Sequence, residues 1–174
     1  MKYTIITIIS VLITLASAQH IGAEQVERDM FGAVTVNPIF AVSLDNADVN
    51  FGYVEPGKSV ELKPDTYYNA VTCNSNKGRA WYLKLSILGE VIGPTTNIPL
   101  DSFKWLVFKA IGDGAAVEGW QPLAETPLVA YTSAGRDNTG EEVTIQFKYK
   151  LDLPGTAMAG NYRTKILYTM TDVP

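Results

Sequence analysis

The chain has 174 residues, one cysteine, one histidine and a formal net charge of −4. A single cysteine excludes an intramolecular disulfide and a thiolate metal site, and His20, close to the N-terminus, leaves no core imidazole for Ser-His-Asp or Cys-His catalysis. A mildly acidic chain with mixed charges also lacks the basic stripe that nucleic acid demands.

Met1 to Ala18 reads as a secretory signal. Lys2 supplies the positive start, Ile5 to Leu15 the apolar run, and Ala16-Ser17-Ala18 the small-x-small cleavage site. The run is shorter than the ~20 residues a spanning helix needs, and no later run is longer, so no membrane span is expected in the mature chain. Cleavage after Ala18 predicts a secreted, extracellular or cell-surface protein that begins at Gln19. Gln19 to Gly32 is polar, carries Glu24, Glu27, Arg28 and Asp29, and is expected to be a mobile leader. Residues 33 to 174 show no composition break and predict one domain.

The domain opens with Ala33 to Leu44, where Val34, Val36, Phe40, Val42 and Leu44 alternate with smaller or polar residues around Pro38. Proline cannot donate to a ladder, so this stretch predicts an edge strand or two short strands with a kink. Asp45 to Asn50 has turn composition. Its Asp45, Asn46, Asp48 and Asn50 are oxygen donors of the kind calcium takes, but their spacing is not that of an EF-hand, and turn chemistry accounts for them. Pro56-Gly57 predicts a type II turn into Ser59 to Lys63. Thr66 to Cys73 reads as a strand, Asn74 to Gly78 as a turn, and Trp81 to Ile87 as a strand with Trp81, Leu83, Leu85 and Ile87 on one face.

Gly89 to Pro99 is expected to be a loop. Phe103 to Ile111 fits neither period and is read as a strand buried on both faces. Gly112 to Gln121 is a Gly-rich loop ending beside Trp120, and Leu128 to Thr132 is a short strand. The chain closes on two alternating runs. Val143, Ile145, Phe147, Tyr149 and Leu151 share one face of the first, and Tyr162, Thr164, Ile166, Tyr168 and Met170 share one face of the second. Turn signals recur throughout. The pattern predicts an all-β, immunoglobulin-like antiparallel β-sandwich of about eight or nine short strands.

The chemistry of a catalyst is missing. The carboxylates cluster in loops, as in Asp113, Glu118, Asp137, Glu141 and Glu142, and Glu61 alternates outward, so no acid pair for hydrolysis is evident. No phosphate-cradling glycine motif is found. The reading is therefore a non-enzyme with no cofactor and no metal. Leu153-Pro154-Gly155-Thr156-Ala157 is close to a sortase signal, but no apolar span and basic tail follow it, and a turn explains it. Cys73 is expected to be a buried strand residue, with an intermolecular bridge as the alternative.

The run Val71-Thr72, then Gly78-Arg79-Ala80-Trp81-Tyr82-Leu83-Lys84-Leu85, resembles the first Trp-x-Leu motif of WxL-type bacterial cell-surface domains. The end, Ala159-Gly160-Asn161-Tyr162 and then Ile166 to Pro174, resembles how those domains finish, with Tyr168-Thr169-Met170 standing where a second Trp-x-Leu would be. Phe51-Gly52-Tyr53-Val54-Glu55-Pro56-Gly57 is similar to openings of pilin-like secreted β-sandwiches. The resemblance implies a bacterial surface sandwich.

Two functions are expected from this. The first is a structural or adhesive subunit, fimbrial-like, contacting other surface proteins or itself, with Ala33 to Leu44 as an exchangeable edge. The second is a WxL-like module for cell-wall polysaccharide or another glycan, with Trp120 and Tyr82 as contacts. N-terminal sequencing of the exported protein should begin at Gln19; a mature chain that still carried Lys2 would overturn the signal reading.

Overall fold

A computed structural model of the chain describes residues 33–46, 48–63, 68–93, 97–135 and 140–174. The signal, the leader, His20 and Asp137 lie outside the described residues, as do Thr66 and Tyr67 of the expected third strand. The chain divides into two units, Met1–Val36 and Asn37–Pro174. The regular structure described here belongs to the second.

Ten strands and one 3-10 turn occur among the described residues. They form two antiparallel sheets packed as a sandwich. The first sheet contains β1 (Phe40–Leu44), β2 (Ser59–Glu61), β3 (Asn69–Ser75), β5 (Phe103–Ile111), β7 (Gln121–Pro122) and β9 (Glu142–Asp152). Its order is β1-β3-β9-β5-β7, with β2 also on β9. The second contains β4 (Tyr82–Ile92), β6 (Gly114–Ala116), β8 (Leu128–Ser133) and β10 (Arg163–Thr171), in the order β10-β4-β8-β6. The 3-10 turn, Leu100–Ser102, leads into β5.

β9 is central because it is long enough to serve three neighbours. β3 pairs with its first half, from Asn74 opposite Glu142 to Asn69 opposite Phe147, and β2 pairs with its end, Val60 opposite Leu151. β5 runs along its other edge. The alternation read from the sequence is obeyed: Val143, Ile145, Phe147, Tyr149 and Leu151 are all buried. They meet Trp81, Leu83, Leu85 and Ile87 from the second sheet in one core that also takes Trp105 and Tyr131. Trp81 and Tyr131 stack with centroids 5.5 Å apart, and Trp105 meets Phe147 edge-on at 5.9 Å.

Several boundaries differ from the sequence reading, each for a tertiary reason. The segment from Ala33 to Leu44 is a strand only after Pro38, and Val34 and Val36 stand outside it, exposed. β4 continues through Gly89 to Ile92 where a loop was expected, because β10 offers a long partner on that edge, with Arg163 opposite Ile92. β5 is buried on one face only: Phe103, Trp105 and Val107 point inward, while Lys104 and Leu106 are half-buried. Its period breaks at a bulge between Val107 and Lys109, which sends the Phe108 ring toward Tyr68 at 6.0 Å.

The expected loop from Gly112 to Gln121 contains β6 and starts β7. Gly114 is obligatory there: at φ 156° a Cβ would lie 2.3 Å from the Tyr131 hydroxyl. The turn at Pro56-Gly57 forms as expected, with Gly57 at φ 76° and the Lys58 amide donating to Glu55 O at 3.1 Å.

A polar junction crosses the core between the sheets. The side chain of Asn69 is 2% exposed. Its Oδ1 accepts from Tyr149 Oη of β9 at 3.1 Å and from Tyr168 Oη of β10 at 2.7 Å. The two phenol oxygens also touch each other, and Asn69 Nδ2 donates to Asn46 O. A buried amide with all its partners is stabilising, and one stripped of them is not. Tyr168→Phe should lower stability by about 1 kcal/mol, and Asn69→Leu by about 1–3 kcal/mol, because it removes the acceptor that the two phenol hydroxyls share. Urea titration checks both; a neutral Asn69→Leu would show that the junction holds nothing.

Candidate functional site

The edges of the two sheets come together where β1 and β10 approach each other on one flank. Directly opposed residues in an antiparallel pair lie on the same sheet face. Val42 stands opposite Cys73 and Leu44 opposite Val71, and both partners are fully buried. Val42 and Leu44 therefore point to the core side, yet they are 42% and 40% exposed. The same holds across the flank. Ile166, Tyr168 and Met170 of β10 stand opposite Ile87, Leu85 and Leu83, which are buried, but are themselves only half-buried.

The apolar faces that the sequence predicted are thus present on both edge strands and incompletely covered. Among the described residues each strand has one neighbour, β3 for β1 and β4 for β10, and no described strand pairs with its other edge. Inward apolar side chains with an open backbone edge are what an added strand can use.

The two aromatic residues expected to bind glycan fall in different places. Tyr82 is half-buried on β4, opposite Thr132 and Thr171, on the face turned away from the core. Trp120 is half-buried just before β7, at the far edge of the other sheet. They do not form one platform. A cleft of about 390 Å³ is lined by Ile98, Pro99, Pro154, Ala157 and Met158, with Asn97 and Thr156. It holds no acid, base or thiol.

The Asp and Asn side chains of the first loop are occupied by backbone. Asp45 Oδ1 accepts from Ala70 N at 2.7 Å, Asn46 Oδ1 from Asp48 N at 3.0 Å, and Asn50 Oδ1 from Gly52 N at 2.8 Å. Among the described residues no group of three His, Cys, Asp or Glu side chains is placed to hold a metal. Likewise no helix among them is long and apolar enough to cross a membrane. Leu153 to Ala157 is a turn: Ala157 N donates to Pro154 O at 3.0 Å, and Leu153, buried, bonds to Lys58 O at 2.9 Å.

Sequence reasoning passed over three polar residues that organise this region. Asn69 falls in the expected strand Thr66 to Cys73 and Asn76 in the expected turn Asn74 to Gly78, and only the register shows their side chains bonding across strands. Asp152 reads as the end of an alternating run. It binds the Ser59 hydroxyl at 2.6 Å, Lys104 Nζ at 2.9 Å and Lys150 Nζ at 3.2 Å, and so staples β2, β9 and β5 on the outer face. The hydrogen bond from Ser59, then that from Lys104, with help from Lys150, hold its carboxyl down at about 2. Cys73 is fully buried, and burial pushes its thiol up to about 12.

No protein-family model matches the chain, nor does any curated protein or any solved structure.

A carboxyl depressed in the fold contributes stability above its ordinary value of 3.8, and that contribution is lost as pH falls through about 2. The urea midpoint should therefore decline between those limits, and Asp152→Asn should flatten that decline. Equal acid sensitivity in both proteins would remove Asp152 from the account. For Cys73, a maleimide should label the native protein far more slowly than the unfolded chain, and equally fast labelling of both would contradict its burial.

Proposed function

We propose that the protein is a secreted, non-catalytic structural or adhesive subunit of a bacterial surface. It works through protein–protein contacts along the flank between β1 and β10, and its exchangeable edge is Ala33 to Leu44. The observation that carries this reading is the exposure of core-side residues, Val42 and Leu44 on β1 and Ile166 and Met170 on β10, beside two open backbone edges. Monomeric sandwiches usually blunt such edges with charge, proline or a covering segment. Here Pro38 precedes β1 and Arg163 and Lys165 stand on the outer face of β10, but the core-side side chains of the flank are apolar and suit a strand from a neighbouring molecule.

The leader-like start of the chain supports export, and the resemblance to WxL-type and pilin-like sandwiches supports a surface setting. The glycan-binding reading has less behind it, because Tyr82 lies on one sheet and Trp120 beside the far edge of the other.

The test is the mass in solution of Gln19 to Pro174, by size exclusion with light scattering in reductant across a range of concentrations. Association should increase with concentration, and Val42→Glu with Leu44→Glu should return the protein to a monomer while Trp120→Ala leaves it unchanged. A wild-type chain that stays monomeric throughout would refute self-contact. Retention on cell-wall material that Trp120→Ala abolishes would favour the glycan module instead.

A further inference from the structure

We infer that β1 is a releasable strap held at its near end by Asn76, and that the β3 edge it uncovers on release is taken by the β1 of a second copy. The inference rests on the exchange reading above and names its acceptor. Of the core-side residues of β1 only Phe40, half-buried, packs on the core, while Val42 and Leu44 keep two fifths of their surface in water. Its neighbour β3 is the opposite case, with Val71 and Cys73 fully buried beneath it. The hold on β1 therefore lies in its hydrogen bonds, and above all in those at its ends.

At the far end, Asp45 N donates to Ala70 O at 3.1 Å, and Asp45 Oδ1 receives Ala70 N at 2.7 Å. At the near end one residue does most of the holding. Asn76 N donates to Ile39 O at 3.2 Å. Its side chain then continues the ladder beyond the last strand residue: Oδ1 accepts from Ile39 N at 2.6 Å, and Nδ2 donates to Asn37 O at 2.9 Å. The amide thus spans Pro38, which has no N–H to offer, and binds the backbone on both sides of it. Next to it, Lys77 Nζ lies 4.1 Å from the Phe40 ring and 3.9 Å from Asp172 Oδ2, just past β10.

Release would uncover the β3 edge from Val71 to Ser75. The strand that fits that edge is another β1, because it brings the same register, the same Val42 and Leu44, and the same Asn37–Ile39 for Asn76 to grip. In the connection from Asp45 to Lys58, Val49, Phe51 and Val54 pack on the core, so β1 swings about the residues before Val49 while β2 stays on β9. Nature uses such exchange of identical elements as a route to dimers.

Cys73 reports the event, since it lies directly opposite Val42 and is buried. The experiment measures native-state labelling of Cys73 by a thiol reagent in the mature chain, alongside global stability in urea. It compares wild type, Asn76→Ala and Ser133→Ala. The last loses a buried bond to Trp81 N in the other sheet and serves as the control for general loosening. Asn76→Ala should speed labelling by roughly tenfold beyond what its global stability explains, since a local opening has been made easier. Ser133→Ala should speed it only in step with global stability.

Rising protein concentration should slow labelling of Asn76→Ala again, as a second copy's β1 takes the vacated edge. Labelling that follows global stability alike in both variants would overturn the hold of Asn76 on β1. Labelling that is fast but indifferent to concentration would overturn the second copy as occupant. A chain that associates by light scattering but ignores Asn76 would refute this inference and leave the subunit reading standing. A chain that never associates would refute that reading and the exchange together.

Discussion

The buried amide of Asn69 is the contact on which the open flank depends. β10 has one strand neighbour and a half-covered inner face, so hydrophobic burial alone holds it less firmly than the strands around β9. Tyr168 corrects this by reaching across the core to Asn69 Oδ1, where Tyr149 also arrives. One side chain thus joins β3, β9 and β10 and, through Asn46 O, the loop after β1. Inside a low-dielectric core such a junction is directional as well as attractive. It fixes how the two sheets sit on each other at the side where packing is thinnest. The Phe147 and Tyr168 rings, 5.4 Å apart, fill the space beside it.

The rest of the molecule shows why the flank can stay open. The middle of the sandwich is dense: Trp81, Trp105, Tyr131, Phe147 and Tyr149 are among its fully buried side chains. Large aromatic residues contribute more burial per position than any others. With the core concentrated under β9 and β4, the edge strands are free to be less well covered. On the outer face, polar contacts hold the peripheral elements instead. Asp152 ties β2 and β5 to β9, and Lys148 reaches Glu61 at 3.1 Å. Near the β3–β4 turn, Arg79 Nη2 meets Asp172 Oδ2 at 2.5 Å. These exposed pairs are individually weak in water, and their effect is to set position more than to add stability.

The alternation of β9 could be read residue by residue, since every second side chain from Val143 to Leu151 is large and apolar. The same was true of Trp81 to Ile87 and of the turn at Pro56-Gly57. The readings that failed did so where a neighbour overrides local preference. Gly89 interrupts an otherwise good strand, but β10 extends along that edge and the ladder continues past it. Phe103 to Ile111 looked apolar on both faces because the bulge at Phe108 shifts the period. Ala130 and Tyr131 are both buried for a like reason, the register slip between Leu83 and Lys84 on β4. The turn signal at Pro154-Gly155 was sound, and burial of Leu153 keeps that segment closed.

For the flank, the sequence reading named Phe40, Val42 and Leu44 correctly, added Val34 and Val36, which lie outside the strand, and did not show the state of any of them. That Phe40, Val42 and Leu44 belong to an edge strand followed from alternation and from Pro38. That Val42 and Leu44 face the core yet remain wet depends on which strand lies beside them and which strand is missing. Asn69 and Asn76 were invisible for the same reason, because a side-chain amide acquires a partner only when register places a distant carbonyl or hydroxyl against it. Composition and period-two patterning, which are local, determined an all-β antiparallel sandwich. Strand order and register, which are long-range, decided where the sandwich stays open and which polar groups close it.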